Sequence, residues 1–169
     1  VNHQNPDSLP MDLGSNVSAG ISGMAYGKLK EYLGITTGHN RIYDVVQQVA
    51  QPEIQVLDII GADVLDVGRV FNTEDSNWYD VTLSNGVAAQ WPGWFRPRHN
   101  KDGSYEYFDC EGTLIAKMPN GGMCFDQQYF PYKEDYPKNY NDLDKEMGKV
   151  IWSAMVCLLY TSPSPRERS

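Results

Sequence analysis

The feature that most constrains the fold is a change of period near residue 78. From there to about residue 130, short runs of alternating apolar and polar residues are cut at regular intervals by turn sequences. Ser84-Asn85-Gly86, Asn100-Lys101-Asp102-Gly103, Glu111-Gly112 and Asn120-Gly121-Gly122 each supply residues that accept a left-handed or tight turn. Between them lie 78–83, 87–91, 105–110, 113–118 and 123–127, rich in Trp and Tyr. Such a pattern predicts an antiparallel meander opened by a hairpin.

The chain before this stretch has a different rhythm. Residues 10–13 read as a short strand, with Pro10 tolerated near its start. Helices are expected over 21–33, ended by Gly34, over 41–50, stopped by Pro52, and over 53–60, capped by Gly61. The mostly apolar run 62–67 then reads as a buried strand of the parallel-sheet kind. Strand, loop, helices, strand implies a right-handed crossover. After a linker at 133–140, residues 141–155 carry apolar residues at spacings of three and four and predict an amphipathic helix.

The last stretch breaks with all of this. Residues 156–169 end in a Ser/Pro/Arg segment that offers nothing to a core. LLYTSPSPRERS resembles translated sequencing-adapter read-through, so 156–169 is read as a non-native tail, with an ordinary flexible terminus as the alternative.

Charge and composition exclude several functions. The formal net charge of -8 disfavours non-specific binding to nucleic acid or to an anionic membrane. No run of about 18 apolar residues is present, so no membrane-spanning helix is expected. The start shows no basic-then-apolar leader. Three cysteines (Cys110, Cys124, Cys157) are too few for a disulfide scaffold and suit a reducing compartment, so a cytoplasmic location is expected. Cys110, Cys124 and His99 do not match zinc-ligand spacing, and no metal site is predicted among the residues present.

The run PDSLPMDLGSNVSAGISGMAYGKLKEYLGI, followed by RIYDVVQQVAQPEIQVLDIIGADVLDVGR, resembles the N-terminal part of the uroporphyrinogen decarboxylase superfamily. DGSYEYFDCEGTLIAKMP and DLDKEMGKVIWSAM resemble its methyltransferase-like branch. The likeness covers about 1–155. It implies an α/β chain, the N-terminal part of a (β/α)8 TIM barrel with an antiparallel β-meander inserted at 72–135. Such barrels need about 250 residues, so the chain is expected to be a fragment, inactive by itself. It implies methyl transfer on a small-molecule substrate, with a corrinoid protein as partner and with zinc held only in a further C-terminal part.

In a barrel the site lies at the C-terminal ends of the strands. The resemblance therefore places Asp12, Ser15 and Asn16 after the first strand, and Arg69 and Asn72 after the second, as substrate-binding residues. Turn chemistry before a helix accounts for Ser15 and Asn16 equally well. Gly14 and Gly20 would loosen the loop or admit a ligand close to the backbone. The family decarboxylase carries an Arg-Gln-Ala-Gly-Arg loop whose arginines hold carboxylates. Residues 13–18 here contain no arginine, which weighs against that alternative activity. Asp63 matches the aspartate of the family's Ser-Asp-Ile-Leu element, and with Asp66 it forms the implied catalytic pair. Asp63 could instead be a strand-edge residue paired to a helix N-terminus, and Arg69 could pair with Asp66 or hold a ligand phosphate or carboxylate. A third reading makes the Trp and Tyr set of the meander (Trp78, Trp91, Trp94, Tyr105, Tyr107, Tyr129, Tyr132) a non-catalytic ring-binding surface; the same residues would serve as packing.

Overall fold

The structure, a computed structural model, describes residues 9–66, 74–133, 136 and 138–147. The described residues form small antiparallel sheets with three short helices, and they are not the front of a (β/α)8 TIM barrel. Contacts divide the chain into two units, described here in turn.

The first unit comprises the chain to Tyr43, Val49–Leu83 and Val87–Pro92. A 3-10 turn at Val17–Ala19 precedes β1 (Ile21–Ser22), which leads directly into α1 (Gly23–Tyr32). Ser22 caps α1 by accepting the Ala25 N–H at 3.3 Å, and Gly34 follows the helix in the left-handed region, φ 69°. Next come β2 (Ile42–Asp44) and β3 (Val49–Ala50), in the order β1-β3-β2. Helix α2 (Ile54–Ile60) is closed by Gly61 at φ 71°. The hairpin of β4 (Trp78–Thr82) and β5 (Ala88–Pro92) pairs Tyr79 with Trp91, whose rings meet edge to face at 6.3 Å. Tyr26, Ile42, Ala50, Val56 and Leu57 are among its most deeply buried apolar residues.

The second unit holds Asp44–Gln48, Ser84–Gly86 and the chain from Gly93. Strands β6 (Arg98–His99), β7 (Tyr105–Phe108), β8 (Leu114–Met118) and β9 (Asp126–Gln127) form one antiparallel sheet in sequence order. The register sets Arg98 opposite Glu106, Glu106 opposite Lys117 and Lys117 opposite Asp126, a row of alternating charge across all four strands. Gly103, Gly112 and Gly121 sit at turns with positive φ. Phe95 is fully buried, with its ring centroid 4.9 Å from Tyr107, 5.2 Å from Phe125 and 5.7 Å from Trp94. Helix α3 (Tyr140–Met147) follows, and the rest of the helix expected to 155 lies outside the described residues.

Three expectations behind the barrel fail for physical reasons. The 41–50 segment is not a helix. Ile42, Val45, Val46 and Val49 satisfy a spacing of three and four, but they are β-branched, which favours strands. Asp44 turns the chain instead: its carboxylate accepts the N–H of Val46 at 2.9 Å and of Gln47 at 3.0 Å. Gln48, at φ 55°, completes the reversal. The second failure is the buried parallel strand at 62–67. Residues 62–66 have no regular structure, and Val64 and Leu65 are 40% and 55% exposed. The third is the strand at 10–13, which is also irregular. Without two parallel strands there is no crossover to start a barrel.

Candidate functional site

Of the residues implied as site-forming, the structure brings together those of the 11–16 loop and Asp63. Asp12 organises the loop, since its carboxylate accepts the Ser15 N–H at 3.0 Å and also bonds the Ser15 hydroxyl. Asn16 accepts the Ala19 N–H at 3.1 Å, capping the 3-10 turn Val17–Ala19, and its amide donates to Ser15 Oγ at 3.4 Å. Gly14, at φ 79°, donates its N–H to the Ala19 carbonyl at 2.9 Å and closes the loop. The local chemistry that shapes this loop is thus the Asx and Ser/Thr turn chemistry its sequence contains.

Asp63 reaches the loop through Met11. The Met11 N–H donates to the Asp63 carboxylate at 2.9 Å, and the Asp63 N–H donates to the Met11 carbonyl at 2.8 Å. This two-way exchange holds the 62–66 segment against the start of the loop. Asp12, Asn16 and Asp63 are exposed, Ser15 and Asp66 half-buried. Arg69 and Asn72 lie outside the described residues. The cluster therefore presents carboxylate, hydroxyl and amide groups to solvent. It can orient a small polar ligand by hydrogen bonds, and its two carboxylates would repel a polyanion.

Gly20 serves packing: a Cβ there would overlap Val49 Cγ1 and lie 2.9 Å from the Val17 carbonyl. A ligand need not be invoked for it.

A stronger polar cluster escaped the sequence reading. Lys30, 8% exposed, donates to the Thr37 carbonyl at 2.8 Å and the His39 carbonyl at 3.3 Å, and it forms an ion pair with Glu53. Glu53 also accepts the His39 N–H at 2.7 Å and the Tyr26 hydroxyl at 3.3 Å, while its own N–H donates to Tyr26 Oη at 2.8 Å. A signal for it existed in the spacing, because Lys30 follows Tyr26 by four residues, which puts both on one face of α1, and that face is the buried one. All three ammonium donors are used, so the cluster has none to offer a substrate and acts as structure.

The residues at hand do not suit zinc. Cys110 and Cys124 are exposed free thiols, and partial desolvation together with the Asp126 and Asp44 charges pushes the Cys124 thiol up, away from the thiolate a metal needs. Among the described residues no group of three or more His, Cys, Asp or Glu side chains is placed to hold a metal ion. His99 stacks on Tyr105 at 4.5 Å. The aromatic set divides unevenly between packing and surface: Trp78 and Trp91 are buried, and Trp94, Tyr105, Tyr107, Tyr129 and Tyr132 half-buried. No helix among the described residues is long and apolar enough to cross a membrane. No protein-family model matches the chain, and comparison with curated proteins and with solved structures returns no match.

Proposed function

We propose that the chain serves in a corrinoid-dependent methyl-transfer enzyme of the uroporphyrinogen decarboxylase superfamily, acting on a small-molecule substrate in the cytoplasm. The observation that carries the reading is the meeting of the 11–16 loop with Asp63. Both segments are named as site-forming by the resemblance, and the Met11–Asp63 exchange joins them although they are 52 residues apart. The reading rests on residue identity and on that contact, not on a barrel. In this role Asp12, Ser15 and Asn16 orient the substrate by hydrogen bonds, and Asp63 is a positioning residue whose carboxylate is already engaged by the Met11 amide. Free thiols at Cys110 and Cys124 fit a reducing compartment.

The test is to sequence the source gene that contains this reading frame and assay the protein it encodes. A His-x-Cys pair with a later Cys, together with methyl transfer to cob(I)alamin, supports the reading. Ser15→Ala should then lower kcat/KM about tenfold, the value of one hydrogen bond to substrate. Decarboxylation of uroporphyrinogen without methyl transfer overturns it.

A further inference from the structure

Beyond the proposed site, the turn between β8 and β9 contains a reactive dipeptide in an unhindered setting. The Gly122 N–H donates to the Pro119 carbonyl at 2.8 Å, closing a turn with Asn120 and Gly121 at its centre. Both are exposed, and Gly121 has φ 74°. Among the described residues, neither the Asn120 side-chain amide nor the Gly121 N–H takes part in a hydrogen bond. Two asparagines not followed by glycine are held. Asn100 Nδ2 donates to Ser104 Oγ at 3.1 Å, and Asn139 bonds Asp142 through both its amide nitrogen and its carbonyl oxygen. Asn85, the other asparagine followed by glycine, is engaged by a further interaction.

We propose that Asn120 is a site of spontaneous covalent modification, deamidation through a succinimide. The Gly121 backbone nitrogen attacks Asn120 Cγ. A C–N bond forms, the Cγ–NH2 bond breaks, and ammonia leaves carrying the Gly121 amide proton. Water then opens the five-membered ring at either carbonyl, giving aspartate or isoaspartate, with no change of oxidation state. Glycine favours the step because no Cβ shields its nitrogen and its φ is free.

The product has a structural consequence. The Asn120 side chain lies against Gly103, where a Cβ would come within 2.7 Å of Asn120 Cγ. Next along the chain is Asp102, whose carboxylate holds the Ser104 N–H at 2.9 Å and the Ser104 hydroxyl at 2.7 Å. Conversion sets a second negative charge beside that turn and, in the isoaspartate form, adds a backbone methylene between β8 and β9.

The experiment ages the full chain in neutral to mildly alkaline buffer and maps its peptides by mass spectrometry, with isoaspartyl methyltransferase labelling. Asn120 should convert to aspartate and isoaspartate on the order of tenfold faster than Asn100 or Asn139 in the same sample, because Gly121 leaves the attacking nitrogen unshielded where Lys101 and Tyr140 carry a Cβ beside it. The Asn120→Gln variant should lose the isoaspartyl signal, and converted chains should show faster amide exchange at Gly103 and Ser104 than Asn120→Gln chains. Conversion of Asn120 no faster than that of Asn100 and Asn139 would overturn the proposal, as would isoaspartyl labelling that persists undiminished in Asn120→Gln.

Discussion

Replacing Phe95 with alanine separates a packed aromatic core from an aromatic binding surface. Phe95 is fully buried and its ring meets those of Trp94, Tyr107 and Phe125. Emptying a buried phenylalanine site costs about 3–5 kcal/mol from lost transfer energy and the cavity left behind. Each favourable ring pair adds roughly 0.5–1.5 kcal/mol beyond buried area. Imperfect geometry at the tilted Tyr107 contact and partial collapse of the site hold the expected loss to about 4 kcal/mol. Leucine keeps much of the volume and should cost about 1–2 kcal/mol. The assay is urea unfolding followed by near-ultraviolet circular dichroism, which reports the aromatic environment. With a urea dependence of roughly 1–3 kcal/mol per molar, Phe95→Ala should lower the midpoint by about 2 M. Tyr32, 87% exposed, is the control, and Tyr32→Ala should stay within about 0.5 kcal/mol of the parent. A loss below about 1 kcal/mol for Phe95→Ala, with the aromatic signal intact, would refute the reasoning and return these rings to the role of a ligand surface.

Glu53→Ala should lower stability by about 3–5 kcal/mol in a thermal melt, because it leaves the Lys30 ammonium buried and unpaired; the double variant Lys30→Met/Glu53→Leu should be less destabilised than Glu53→Ala. Gly23→Ala should destabilise by about 1–3 kcal/mol despite its better helix propensity, since the new methyl overlaps Ile42 Cδ1; Ile42→Val, which removes that atom, should recover part of the loss. Asp44 is fully buried, and that burial holds its carboxyl above the ordinary range despite the amides that bond it. The folded protein therefore binds this proton more tightly than the unfolded chain, so the contribution is present in acid and lost as pH rises through the folded value. Asp44→Asn should remove that part of the pH dependence in equilibrium unfolding, and an unchanged profile would sink the assignment. Glu106 has the opposite sign: Arg98, then Asn100 and Lys117, hold its carboxyl below the ordinary range, so its contribution is lost as pH falls, and Glu106→Gln should flatten the acid limb.

Local chemistry was legible wherever one residue decides the backbone. Gly34 and Gly61 end α1 and α2 as their positions predict, and Ser84-Asn85-Gly86 joins the two strands of a hairpin. What misled was periodicity in short segments. Ile42, Val45, Val46 and Val49 fit a helical stripe and an antiparallel turn equally well, and the Asp44 carboxylate settles the matter by binding two amides that a helix would have left at its start. At 62–66 an apolar run alone does not tell a buried strand from an exposed segment held by one side chain, here Asp63. The turn chemistry of Asp12, Ser15 and Asn16 was readable; the partnership of Met11 with Asp63 was not, because nothing local encodes a contact 52 residues away.

That contact carries the functional reading, so its direct measurement is the decisive one. In nuclear magnetic resonance spectra of the isotope-labelled chain, Met11 and Asp63 should show backbone proton cross-peaks to each other, and the Met11 amide should exchange slowly and shift in Asp63→Ala. Absence of those cross-peaks, with the Met11 amide exchanging as fast as in an unfolded peptide, would contradict the account.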